Sequence, residues 1–344
     1  MSLSLGLLLA DDYSCSELTE LGALAETLGY DSFWFVDVRL AHECYIGLAS
    51  IATRTSRIRL GTGVTDPYSR HPAVTAASIA TLDELSGGRA ILGLGLGGSG
   101  FKELGIEKLL PVAALREAIG LSRRLWRGET VTMQGKVVKL EAGKLGFKPL
   151  RPEIPIYIAT QGEQISRLAG ELADGVLIAN TATAPALEFY VNQVASGAAK
   201  AQRPASQVDI NLRWEVSISN NEKEAVYAMR RRLAQRMING YPNWHFLKTL
   251  GVEEPAEFAA IAAKKDPALL EQAIEALPME VVDASMLAGS PERVASLICK
   301  LMRPEVTGVT IRPHPCPGTS VADMMRSFVV DVMPMVERHR QATA

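Results

Sequence analysis

Asp37 is a lone carboxylate closing a short run of strand-forming residues, Ser32 to Val36. A carboxylate at a strand's C-terminal end can hydrogen-bond a ligand or shuttle a proton, and it can equally cap the next helix. A second constellation, Gly93-Leu94-Gly95-Leu96-Gly97-Gly98, matches G-x-G-x-x-G directly after a run of buried type. In a Rossmann turn such glycines let backbone approach a pyrophosphate, but there the motif opens the first unit and runs into a helix. Here it comes in the fourth unit, and Gly100 and Gly105 break any helix that would open behind it. A glycine turn serving only packing is the other reading. Third, Ala159-Thr160-Gln161-Gly162 precedes a helical pattern, whose first N–H groups form a natural anion site. Ala179-Asn180-Thr181 ends the next strand with small polar groups, so the two loops can share one phosphate, although turn chemistry alone accounts for either. His314, within Arg312-Pro313-His314-Pro315-Cys316, also follows a strand, yet nothing supplies the remaining ligands of a metal site. His71, before Pro72, reads as a local turn partner, and Asp11 with Asp12 as a solvated loop. No Ser–His–Asp elbow, P-loop or HExxH stands in the chain.

These residues need elements to position them, and the stretch from Ser56 to Gly98 shows the plan. Arg57 to Val64 reads as a strand, closed by Thr65, Asp66 and Pro67. Pro72 opens a helix whose apolar face we place at Val74, Ala77, Ile79, Leu82 and Leu85, and Gly87–Gly88 stop it. Ala90 to Leu96 is a second buried strand whose glycines clear backbone for something flat. Around this βαβ unit we expect strands at Leu3–Leu9, Ser32–Val36, Ile156–Ala159, Val176–Ala179, Ile210–Ser217 and Gly308–Arg312. Helices are expected at Glu17–Leu28, Cys44–Thr53, Leu115–Trp126, Ile165–Leu172, Leu187–Ala199, Lys223–Met237, Ser290–Met302 and Val321–Val336. Eight strands alternating with helices point to a single (β/α)8 TIM barrel over residues 1–344, with insertions at about 129–152 and about 240–289. The first insertion reads as a hairpin turning at Gln134–Gly135, and the second as two or three short helices punctuated by Pro255, Pro267 and Pro278. Asp37, Val64, Gly97, Gly162, Asn180 and His314 are then expected near one rim, where barrels carry their chemistry.

The chain has 344 residues, 47% hydrophobic and 22% charged, with a net charge of −2. That balance fits a soluble globular protein and argues against nucleic acid as a partner. Its apolar runs are shorter than a membrane span, and no signal peptide is expected before the first strand. Cys15, Cys44, Cys299 and Cys316 show no paired spacing, so we expect reduced thiols in a cytoplasmic protein.

Several longer pieces carry a resemblance: Gly61–Tyr68, Arg70–Ala76, Ala80–Arg89, Gly93–Gly97 and Leu168–Gly175. Together with the barrel order they resemble the luciferase-like flavin- and deazaflavin-dependent oxidoreductase superfamily. Within it the chain is similar to the branch of methylenetetrahydromethanopterin reductase, which uses coenzyme F420. The resemblance implies hydride transfer between the deazaflavin and a small organic substrate, in a homodimer. It implies that Asp37 faces the cofactor ring as the catalytic residue, and that Gly63–Val64 is a cis peptide backing that ring. Thr65, Gly95, Gly97 and Gly98 would line the cofactor, and Gln161, Gly162, Ala179, Asn180 and Thr181 would hold its phosphate. Two positions depart from the family pattern: Gly98–Ser99 and Leu7–Leu9 stand where an acidic residue is expected. Val38 stands where sugar-phosphate relatives have His, which sets that activity aside. An FMN-dependent monooxygenase and a non-catalytic flavin- or ligand-binding barrel are the competing functions.

Overall fold

A computed structural model describes residues 3–10, 12–97 and 100–343. The element order is that of a (β/α)8 barrel, and two compact units are described in turn.

The first unit spans Ser4–Leu177 with Gln193–Asn211. It holds β1 (Ser4–Leu9), α1 (Cys15–Thr27), β2 (Ser32–Phe35), α2 (Cys44–Ala52), β3 (Arg59–Thr62), α3 (Pro72–Ser86), β4 (Ala90–Leu94) and α4 (Pro111–Trp126). A hairpin of β5 (Val131–Gln134) and β6 (Lys139–Gly143) precedes β7 (Ile156–Thr160) and α5 (Glu163–Leu172). β1, β2, β3, β4 and β7 pair in that order, all parallel. Parallel strands bury both faces, and β2 and β4 are accordingly buried at every position.

Local signals set the helix ends. Ser14 and Glu17 form a capping box on α1. Pro72 sits in the first turn of α3, and Gly87 ends it in the left-handed conformation, φ 69°. His71 is the N-cap, its Nδ1 accepting from the Ala73 N–H, which is the turn role expected of it. The face of α3 differs from expectation. Ile79 and Leu82 are buried as expected, but Thr75, Ala76, Ala80 and Asp83 complete that face, whereas Val74 and Leu85 are about half exposed at 51% and 52%. Small residues bring the helix close to its neighbours, so bulk is a poor guide to the buried side.

Within the Ala80–Arg89 motif, Asp83 and Arg89 hold the architecture. Asp83 is fully buried and accepts Arg151 Nε (2.9 Å), Arg151 Nη2 (2.7 Å) and the Ala90 N–H (3.1 Å). Arg89 donates to the carbonyls of Ala52, Thr55, Ile58 and Ser86.

The second unit takes Ile178–Asn192 and the chain from Leu212 onward. β8 (Gly175–Ala179), α6 (Ala184–Lys200) and β9 (Asp209–Ile218) lie across the division in sequence. α7 (Glu222–Gly240) leads into the second insertion: α8 (His245–Leu250), α9 (Ala256–Ala262), α10 (Leu270–Ala276) and α11 (Met279–Asp283). The prolines act as punctuation, Pro255 and Pro278 standing at the N-caps of α9 and α11. These helices bury Trp244, Leu247, Phe258 and Val281 against Met229, Leu233 and Met237 of α7. A three-residue strand, β10 (Leu287–Gly289), comes next; the sequence does not announce it, and it pairs parallel to β9. α12 (Pro291–Cys299), β11 (Val306–Pro313), α13 (Val321–Ser327) and α14 (Met333–Thr343) complete the chain, with a π-turn at Phe328–Val332. No helix among the described residues is long and apolar enough to cross a membrane.

Candidate active site

Because β2, β3, β4 and β7 are parallel neighbours, the loops leaving their C-terminal ends share one edge of that sheet. Asp37 stands two residues past β2. The chain leaving β3 passes Gly63–Val64, whose peptide bond is cis. It rejoins β4 at Thr65, whose N–H donates to Gly93 O and whose carbonyl accepts from Gly95 N–H, both at 2.9 Å. Thr65 Oγ1 then donates to Asp37 Oδ2 at 2.6 Å. Burial pushes the Asp37 carboxyl above the usual carboxylate range, and the Thr65 hydroxyl and Arg39 offset only part of that rise.

Arg39 and Asp66 form a buried ion pair beside it. Asp66 also accepts the N–H groups of Tyr68 and Ser69, each at 2.7 Å, and the Ser69 hydroxyl at 2.5 Å. Burial alone would raise Asp66; Ser69, Arg39 and the two N–H groups outweigh it and hold the carboxyl low. Arg39 further donates to the carbonyls of Asp37 (3.1 Å) and Gly97 (3.4 Å), and its guanidinium lies 3.9 Å from the Phe101 ring centroid. The loops after β2, β3 and β4 are thus one hydrogen-bonded assembly. No local motif announces the Arg39–Asp66 pair, because its members lie 27 residues apart.

The glycines of this edge divide into two kinds. A Cβ on Gly95 would sit 2.5 Å from Val64 Cγ2, one on Gly93 1.9 Å from Thr62 O, and one on Gly63 2.8 Å from Trp34 Cβ. Protein fills those spaces, so close packing explains these glycines. A Cβ on Gly97 or Gly162 would meet nothing within 4 Å. Gly98 lies outside the described residues.

Gly162 is the N-cap of α5 and offers no side chain to its first turn. Its own N–H donates to Thr160 Oγ1 (3.1 Å), and its carbonyl accepts from the Ser166 N–H (3.0 Å) and hydroxyl (2.9 Å). The amides left to an anion are therefore those of the helix's first turn rather than that of Gly162. Gln161 is exposed beside them.

In the second unit, Asn180 has a left-handed backbone, φ 51°. Its N–H donates to Arg213 O (2.8 Å), and its Oδ1 accepts from Arg213 Nη1 (3.0 Å). Thr181 Oγ1 donates to Ala179 O (3.3 Å), and Thr181 O accepts from the Trp214 indole (2.8 Å). This loop is turned onto β9. His314 follows β11, its Nε2 3.1 Å from Glu215 Oε2. Sequence reasoning misses Glu215, although the alternation Asn211, Arg213, Glu215, Ser217 inside a buried parallel strand is an available signal.

The model of the luciferase-like monooxygenase family matches residues 6–308. The chain belongs to that family. It is 36% identical over 296 residues to a 5,10-methylenetetrahydromethanopterin reductase of Methanolobus tindarius, covering 85% of this chain and 89% of that one. It is 32% identical over 280 residues to an F420-dependent glucose-6-phosphate dehydrogenase of Nakamurella multipartita, covering 77% and 79%. The solved structure of a coenzyme F420-dependent tetrahydromethanopterin reductase from Methanopyrus kandleri superposes with a TM-score of 0.85 at 29% identity, over 97% of this chain and 99% of that one. This family member is an oxidoreductase with the luciferase-like barrel fold.

Proposed function

We propose that the chain is a coenzyme F420-dependent oxidoreductase transferring a hydride between the deazaflavin and an organic substrate. The observation that carries this reading is a shared term among relatives that differ otherwise. A glucose-6-phosphate dehydrogenase and a tetrahydromethanopterin reductase are named for different substrates, and both are named for F420. What unlike enzymes share is the better guide to this chain's own cofactor; what separates them leaves its substrate at the level of a small organic molecule.

The residues present fit such a group. The space beside Gly97 and Gly162 is open, so a bulky ligand meets backbone there. Asp37, Val64, Thr65 and Gly97 would lie against the ring system. The first turn of α5, with Gln161 and Gly162, would take the phosphate. When bound, the deazaflavin supplies a carbon centre that passes hydride and reacts poorly with oxygen. The protein's share is positioning, which in hydride transfer provides much of the rate. Asp37, held by Thr65 and kept above the usual carboxylate range, can hold a proton at Oδ1 while Oδ2 stays oriented. The Arg39–Asp66 pair fixes the surrounding loops and so preserves that orientation.

Titrating the apo-protein separately with F420 and FMN tests the reading. Saturable F420 binding at least about tenfold tighter than FMN binding is expected, a difference of about 1.4 kcal/mol. FMN binding without F420 binding would transfer the assignment to a flavin monooxygenase.

A further inference from the structure

β9 alternates sharply along its length: Leu212, Trp214, Val216 and Ile218 on one face, Arg213, Glu215 and Ser217 on the other. The polar face gathers charge. Arg232 Nε, from α7, donates to Glu215 Oε2. His314 Nε2 lies 3.1 Å from the same oxygen, and Arg213 Nη2 lies 3.6 Å from Oε1. Glu215 is 5% exposed and Arg213 13%. Arg236, one turn along α7 from Arg232, acts on the same carboxylate, and its guanidinium lies 5.3 Å from the Phe246 ring centroid.

Two guanidiniums, those of Arg213 and Arg232, pair with the one carboxylate of Glu215, and Arg236 and Arg312 stand near enough to bear on the same group, so positive charge outnumbers negative around Glu215. Arginine does not escape this by losing its proton, because its affinity for the proton is too high. Burial lowers Arg213 to about 10, with Glu215 opposing and Arg312, Arg236 and Arg232 reinforcing the drop. Glu215 itself is drawn well below its ordinary range: burial would raise it, but His314 and the arginines prevail. Charges of one sign held together away from water are costly unless an opposite charge joins them. Planar guanidinium forks suit the paired oxygens of a carboxylate or phosphate.

We propose that Arg213, Arg232, Arg236 and His314, arranged around Glu215, bind an oxyanion group, carboxylate or phosphate, carried by the organic substrate. That the ligand is the substrate rests on the oxidoreductase reading; the anion site itself does not. Glu215 orients Arg232 and Arg213, and Arg236, which has no carboxylate of its own in hydrogen-bonding contact among the described residues, offers its donors to the ligand.

The test is calorimetric titration of the full chain, without cofactor, using inorganic phosphate and succinate at constant ionic strength set with chloride. Saturable binding of either anion at one site is expected, and the stronger of the two identifies the group. Arg236→Met should weaken that affinity about tenfold or more. It should also raise the melting temperature of the anion-free protein, because it removes an excess like charge, whereas a merely structural arginine would lower it. Arg232→Lys, which keeps the charge and loses the fork, is the second variant and should also weaken binding. Titration no stronger than chloride, or Arg236→Met binding as tightly as wild type, would overturn the site. F420 binding is measured on the same samples. Anion binding without F420 binding contradicts the cofactor reading alone, and F420 binding without anion binding contradicts the oxyanion site alone.

Discussion

Thr65 Oγ1 donates a 2.6 Å hydrogen bond to Asp37 Oδ2, tying the loop that leaves β3 to the carboxylate that follows β2. The backbone of Thr65 is itself clamped onto β4 through Gly93 and Gly95. The carboxylate's position is therefore inherited from three adjacent strands, an arrangement suited to a group that must face a ligand without drifting.

Replacing Asp37 by Asn should lower turnover by about 10²–10⁴-fold, the usual worth of a positioned proton-handling group. Stability should move the other way. A carboxyl whose folded-state pKa is raised binds protons more readily folded than unfolded, so stability falls as pH rises from its ordinary value of 3.8 through the folded pKa. At neutral pH the ionised group is a cost, and Asp37→Asn should melt no lower than wild type. Parallel losses of melting temperature and activity would mark Asp37 as a residue that holds the loops together rather than one that handles a proton; it does not cap α2, whose N-cap is Glu43.

Thr65→Val keeps the shape and removes the donor. The Thr65 hydroxyl favours the ionised carboxylate, so its loss should drive the Asp37 pKa further up. The limb of the rate–pH profile that reports Asp37 should shift to higher pH, with unfolding free energy changed by only about 1 kcal/mol. An unmoved profile would separate Asp37 from the measured step.

Gly162→Val should fold normally, since φ is −146° and the added Cβ meets nothing within 4 Å. It should nevertheless weaken cofactor affinity about tenfold, because a branched side chain would obstruct an anion approaching the first-turn amides of α5. Equilibrium dialysis against F420 reads this directly, and unchanged affinity would move the phosphate elsewhere.

Asp83→Ala probes architecture rather than chemistry. It takes the carboxylate from the half-buried Arg151, which keeps only the Ala90 carbonyl, and leaves the Ala90 N–H without its acceptor. Urea unfolding should show a loss of about 1–3 kcal/mol, while cofactor affinity below the unfolding transition stays unchanged.

Much of this is legible in the chain. Pro72, Gly87 and Ser290 announce helix ends through chemistry that acts over a few residues, and each stands at the helix end expected of it. Asp37 and Thr65 stand out because a strand's end is readable from local patterning. What is illegible depends on distance or on small size. The Arg39–Asp66 pair joins separate loops, the buried face of α3 mixes Ile79 and Leu82 with Thr75, Ala76 and Ala80, and β10 is too short to show a period. Glu215 is concealed differently: β9 reads as an ordinary strand unless its polar alternation is taken as a face turned toward charged neighbours.

The central claim is hydride transfer through a deazaflavin without oxygen, and oxygen uptake tests it most directly. The apo-protein is loaded in parallel with reduced F420 and reduced FMN, free cofactor is removed, and oxygen consumption is followed in air-saturated buffer. The account predicts that F420 stays bound and that its sample consumes no oxygen beyond the buffer control. Tight FMN binding with protein-dependent oxygen consumption, and no retention of F420, would contradict it.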